Sequence, residues 1–191
     1  GLPRWNCSIG ERSVSYSIEQ HKHRFSAWAA GRAANVKGCR FSVEQAKAII
    51  EAVALERLLT SPDELPLPSD IDSVHALWRA QVITESAALG LTFTHGIAAK
   101  LINVYLNAAF VCGGYHDHER VQALHPPIDA LLLASLAKGD VGGQGRAWRN
   151  ARDGKWSKLD SRQYQAVIDA IRAATPSNPM WLIEEHWRGY Q

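Results

Sequence analysis

Cysteine is scarce in this chain and shows no pairing: Cys7, Cys39 and Cys112 are odd in number and too widely spaced for a zinc or redox motif. No disulfide framework follows from them, and their usage fits a reducing cytoplasm. Clean apolar/polar alternation over a strand length is also missing, which argues against β-structure. No apolar run is expected to reach membrane-spanning length, and the first residues lack the charged-then-apolar pattern of a secretory leader, so the expectation is a soluble cytoplasmic protein without a membrane partner. No glycine-rich phosphate loop opens a strand–helix unit, and no strained nucleophile motif surrounds Ser135 or Cys112, so P-loop chemistry and a serine or cysteine triad have no support. Neither sign of charge dominates: the net charge is +2 and the pI near 8.5, compatible with a polyanionic partner without demonstrating one.

What is present is helical periodicity. With 191 residues, 46% of them hydrophobic, the chain can bury a core, and residues 1–191 are expected to form one all-α domain with helical layers around a cleft and a bridge near 60–72. A polar lead runs through about Gln20. A first helix is expected from near His21 to Asn35, marked by Phe25, Trp28, Ala29 and Arg32, with Gly38 ending it. A second begins behind the N-cap Ser42, with Gln45 completing the cap and Val43, Ala46, Ile49, Ile50 and Val53 inward. After the proline-rich 60–69 stretch, a third covers Asp72 to Ala88 with Val74, Leu77, Trp78, Val82 and Ile83 as its buried stripe, stopped by Gly90. A long apolar helix from Thr94 to Val111 follows, then one from Ile128 to Ala137. A glycine-rich basic segment, Gly139 to Arg152, reads as a mobile loop. Helices over Ser161–Ala174 and Pro179–Trp187 close the chain.

Lys100 stands out in the apolar helix. On a helical wheel Ile97, Leu101, Val104 and Ala108 form an apolar seam, and Lys100, Asn103 and Asn107 form a narrow polar stripe beside it. Burial there would lower the amine's pKa and free a nucleophile, while a nearby carboxylate would oppose that. Asp129 follows Pro126-Pro127-Ile128 and falls at the N-cap or in the first turn of the next helix, where unpaired N–H groups favour an ionised carboxylate. Each residue alone has an ordinary structural reading, a snorkelling lysine and a helix cap.

Gly96-Ile97-Ala98-Ala99-Lys100 followed by Pro127-Ile128-Asp129 resembles the lysine-and-aspartate core of the helix-hairpin-helix DNA glycosylases. The resemblance is strongest to 8-oxoguanine glycosylases and the bacterial proteins grouped with them. The segments His23 to Ala34 and Trp181 to Trp187 look like the ends of those bacterial proteins. The resemblance implies a DNA repair or defence glycosylase and abasic-site lyase acting as a monomer, without a cofactor, on double-stranded DNA that carries an oxidised or otherwise modified base. It implies that Lys100 attacks the sugar C1′ of a flipped nucleotide and that Asp129 stabilises the developing positive charge. Trp28, Trp181 and Trp187 are then candidates for stacking on the base, and Glu184 for a contact to its edge. Packing in a helical core is the competing reading for each tryptophan, and for Trp78. The family hairpin has two glycines gripping a phosphate; here Leu91 to Gly96 supplies one at its end, so His95 and Gly96 are the candidates for that grip.

Arg146, Arg149, Arg152, Lys155 and Lys158, interleaved with Trp148 and Trp156, are candidates for phosphate contacts, with solvated loop charge as the alternative. Cys112, His116, His118 and His125 match no closed zinc spacing, and no metal is expected. A catalytically silent helical DNA-binding protein is the rival function. A helical protein-interaction domain would place the lysine and the basic segment on unrelated faces.

Overall fold

The computed structural model describes residues 15–191, so Cys7 lies outside the described part. Among those residues the architecture is all-helical: α1 (Ile18–Ala34), α2 (Val43–Ala52), α3 (Ile71–Ala88), α4 (His95–Leu106), α5 (Glu119–Gln122), α6 (Ala130–Lys138), α7 (Gly145–Gly154) and α8 (Ser161–Ala174), joined largely by 3-10 turns. An isolated bridge between Val36 and Cys39 is the only β-type pairing among them.

Helix α1 starts earlier than expected because Ser17 accepts from the Gln20 amide and the Gln20 side chain returns to the Ser17 amide, a reciprocal cap hidden in the polar lead. Its buried face is also different. Ser26, Ala27, Ala30, Gly31 and Ala34 face inward, whereas Phe25 is 58% and Trp28 50% exposed. Small side chains let α1 lie close to its neighbours α2 and α4; a Cβ on Gly31 would come within 2.9 Å of Ala46 Cβ. Helix α2 has the expected Ser42–Gln45 box and buries Ala46, Ile49 and Ile50. Two 3-10 turns, Leu55–Thr60 and Pro62–Glu64, occupy the proline-rich bridge.

In α3 the expected apolar stripe gives way to Ile71, His75, Arg79, Val82 and Ser86, and Leu77 is 63% exposed. A histidine and an arginine are buried there because other helices supply partners for them, described below.

Helix α4 continues into a π-helical stretch, Asn107–Tyr115, which kinks near its end at Gly114, φ +97°. The continuous helix His95–Tyr115 is therefore 21 residues long, apolar and long enough to cross a membrane, contrary to the expectation from the sequence, and 72% of its most apolar window is buried. It is the central helix of the fold. Ile97, Ala98, Leu101, Ile102, Tyr105 and Leu106 pack into one apolar core with α1, α2 and α3. Ala99 joins a second core built from α6, α7 and α8 with Ile128, Leu159, Met180 and Ile183.

The glycine-rich basic segment is not a loop. Val141–Gly143 is a 3-10 turn and Gly145–Gly154 is α7. Trp148 is fully buried in the second core and donates its indole N–H to Val141 O at 2.9 Å, so the segment is anchored by its one large apolar side chain. Helix α8 begins at the cap Asp160, which Gln163 completes. The final expected helix is a 3-10 segment, Met180–His186.

Candidate active site

Lys100, Asp129, Glu184 and Trp187 line one cleft of about 430 Å³, together with Pro127, Asn107 and the apolar Ala33, Val104, Ala108 and Val111. Lys100 is only 6% exposed. Its Nζ lies 3.6 Å from Asp129 Oδ2 and 4.5 Å from the centroid of the Trp156 ring. Desolvation lowers the lysine pKa, and the charges of Asp129 and Glu184 pull it partly back. The balance favours a more readily deprotonated amine than an exposed lysine has.

Asp129 is the N-cap of α6. Its Oδ1 accepts from the Leu132 amide at 2.8 Å, and its Oδ2 accepts from the Trp187 indole at 2.9 Å while facing Lys100. The cap fixes the carboxylate and the indole aims it. Gly189 backs the Trp187 ring so closely that a Cβ there would overlap it.

Gly96 explains the position of Trp156. A Cβ on Gly96 would overlap the Trp156 carbonyl oxygen, so only glycine lets the 3-10 turn Trp156–Lys158 dock on α4 one turn before Lys100. The Gly96 amide donates to Leu159 O at 3.0 Å, and Thr94 Oγ1 donates to Ser157 O at 2.7 Å. The expected phosphate grip at Gly96 is therefore not available: that amide is already committed. His95, also proposed for the grip, accepts from Arg79 Nε at 3.2 Å, and burial lowers its pKa.

Trp28 is not part of the cleft; it stands half-exposed on α1 against Phe25. Trp181 packs edge-on against His116. Arg146 and Arg149 are exposed on α7. The histidines weighed as metal ligands diverge: His118 bonds Asp63, His116 lies beside Asp117, and His125 points into the interior.

The interior polar chain is what the sequence reading missed. Guanidinium carries only donors, so Arg79 Nη1 donates to His75 Nδ1 at 2.6 Å, which leaves His75 Nε2–H to donate to Asn103 Oδ1 at 2.7 Å. Asn103 Nδ2 donates to Pro126 O at 3.1 Å and to the Tyr164 hydroxyl at 3.0 Å. Tyr164 in turn donates to His125 Nδ1 at 2.9 Å, and His125 Nε2–H to Asp72 Oδ1 at 2.8 Å. Arg172 holds Asp72 bidentately at 2.8 and 2.7 Å. Neutral imidazoles satisfy every link, and desolvation lowers both histidine pKa values accordingly. Asn107 adds a bond from Nδ2 to His125 O at 2.9 Å. Through Asn103 and Asn107 the chain ties α4 to the segment that leads into Asp129, and so sets the lysine against the aspartate.

No protein-family model matches the chain, and no curated protein or solved structure matches it.

Proposed function

We propose that the protein is a DNA glycosylase with abasic-site lyase activity, acting in repair or defence on an oxidised or otherwise modified base, 8-oxoguanine foremost, in double-stranded DNA. The observation that carries this reading is the approach of Lys100 Nζ to 3.6 Å from Asp129 Oδ2 inside one cleft. The sequence resemblance to helix-hairpin-helix glycosylases supports it, since the same two residues are the ones that resemblance singles out. The cleft volume also falls in the range of pockets that enclose a small ligand, about 300–1,000 Å³.

The chemistry follows from the groups present. Lys100, as the free amine, forms a bond to C1′ of a flipped nucleotide as the bond from C1′ to the base breaks. Asp129, fixed by the Leu132 and Trp187 N–H groups, stabilises positive charge on the sugar. Opening of the sugar ring gives an imine, and loss of a C2′ proton expels the 3′ phosphate. Trp187 offers a ring to the base. With the α4 start closed by Leu159, the exposed Arg146 and Arg149 are the proposed duplex contacts in place of Gly96.

Borohydride reduction of the imine tests the reading. Wild type is expected to crosslink to duplex DNA containing a preformed abasic site, and Lys100→Gln to form no crosslink while retaining its circular-dichroism spectrum. Equal trapping by both proteins removes Lys100 as the nucleophile; no trapping by either favours the silent DNA-binding alternative.

A further inference from the structure

Two carboxylates face the same cleft in opposite surroundings. Asp129 has both oxygens on N–H donors and a lysine nearby, the environment of an anion. Among the described residues no hydrogen bond reaches the Glu184 carboxyl, which lies part-buried in the apolar wall. We infer that Glu184 is the acid that protonates the departing base, an oxidised purine, while Lys100 takes its place on C1′; the inference rests on the reading of Lys100 given above.

The physical basis is the separation of the two carboxyl groups by environment, which is how one cleft keeps an acid and an anion side by side. Burial pushes the Glu184 carboxyl up to about 7, with the Asp129 charge adding to the rise and Lys100 opposing it. From other elements, Lys100 on α4, Asp129 at the start of α6 and Cys112 on the π-helical stretch line the cleft with Glu184. On its own segment Glu185 and His186 pair with each other at 3.2 Å. Contacts of that segment with the second core run through the apolar Met180 and Ile183.

The step balances within the cleft. The electron pair of the bond between C1′ and the base nitrogen passes to the base, which receives the Glu184 proton and leaves neutral. The amine nitrogen of Lys100 supplies the pair for the new bond to C1′ and becomes a secondary ammonium. The Glu184 carboxylate is then the acceptor for the ammonium proton, which restores the acid. On a preformed abasic site no base departs; the C1′ oxygen leaves as water, whose proton solvent can supply, so the step depends far less on Glu184.

That asymmetry makes the test. Single-turnover release of 8-oxoguanine from a duplex is measured between pH 5.5 and 9 for wild type and Glu184→Gln, beside borohydride trapping on a preformed abasic site. The ratio of wild-type to Glu184→Gln release is expected to fall about tenfold per pH unit above roughly 7, the limiting slope for loss of one required proton, because the free Lys100 amine that both proteins need cancels in the ratio. At pH 6 Glu184→Gln should release the base on the order of 100-fold more slowly, since acid catalysis contributes about 10²–10⁴-fold, and should lose far less in trapping of the abasic site. A carbon-13 titration of the glutamate carboxyls, with Glu184→Gln assigning the resonance, should show a midpoint near 7. A midpoint at the ordinary 4.5 overturns the inference. So does a rate ratio that does not change with pH, or equal slowing on both substrates, which would make the residue structural. Wild type that traps abasic DNA but releases no 8-oxoguanine overturns the purine assignment and leaves the Lys100 reading standing. Wild type that does not trap overturns both.

Discussion

Two polar clusters meet along α4, one closed and one open. In the chain from Arg79 to Asp72 each imidazole nitrogen, the Asn103 amide and the Tyr164 hydroxyl has a protein partner. In the adjoining cleft, Lys100 has an ion pair and a ring face, and among the described residues Glu184 has no hydrogen bond to hold its charge. A buried polar network that is fully paired rigidifies what it connects, whereas incompletely paired ionisable groups in a concavity keep protons and lone pairs for a ligand. In the proposed reading the closed cluster positions and the open one reacts. Substitutions that separate these two roles test the comparison.

The largest effect on stability is expected in the closed chain. Arg79→Met leaves His75 Nδ1, His95 Nδ1 and Ser161 Oγ without their donor, and an unsatisfied buried polar group costs about 1–3 kcal/mol. Urea unfolding should show a loss of roughly 3 kcal/mol or more by that principle. A loss no greater than that of an exposed variant such as Arg146→Met would show that the chain contributes nothing to the fold.

Opposite pH slopes should come next in size. His75 and His125 are neutral in the fold and have lowered pKa values, so the unfolded chain binds more protons below its model value of 6.5. Stability is then complete above about 6.5 and falls on acidification, by up to about 1.4 kcal/mol per pH unit for each histidine. Glu184 works the other way. Its folded pKa near 7 exceeds the model value of 4.5, so its contribution is present at low pH and lost as pH rises through about 7. Urea midpoints for Glu184→Gln should exceed those of wild type by more at pH 8 than at pH 5. A parallel offset at all pH values would remove the contrast between the clusters.

Gly96→Ala should cost about 1–3 kcal/mol, the range for forcing extra atoms into a packed contact, because its Cβ meets the Trp156 carbonyl. It should also move the Trp156 ring off Lys100 and shift tryptophan fluorescence. The smallest effect is expected from Lys100→Met. Desolvation of the amine opposes the fold, and Asp129 keeps its two N–H donors without the lysine, so thermal unfolding should be unchanged or higher by up to about 1 kcal/mol. A loss of several kcal/mol would make Lys100 a structural cation and join the two clusters into one.

The all-helical class, the Ser42–Gln45 cap, the extent of α8 and the polar stripe of Lys100, Asn103 and Asn107 were legible from local periodicity and capping residues. Asp129 as a cap was legible too, because a cap bond closes within three residues. The buried faces of α1 and α3 were not. Periodicity ranks side chains by apolarity, but α1 turns its alanines inward because close approach to α4 requires small residues, and its aromatics are left outside. In α3 the interior takes His75 and Arg79 because their partners come from α4, the His125–Pro126 segment and α8, which no local pattern can pair. Gly96 shows the same division at one residue. Sequence marked it as a glycine before the lysine helix and suggested a phosphate; only the tertiary structure decided that its missing side chain admits the Trp156 turn and that its amide belongs to Leu159. Short-range hydrogen bonds and helical spacing are written in neighbouring residues. The meeting of Lys100, Asp129, Glu184 and Trp187 in one cleft was decided by packing between helices distant in the chain.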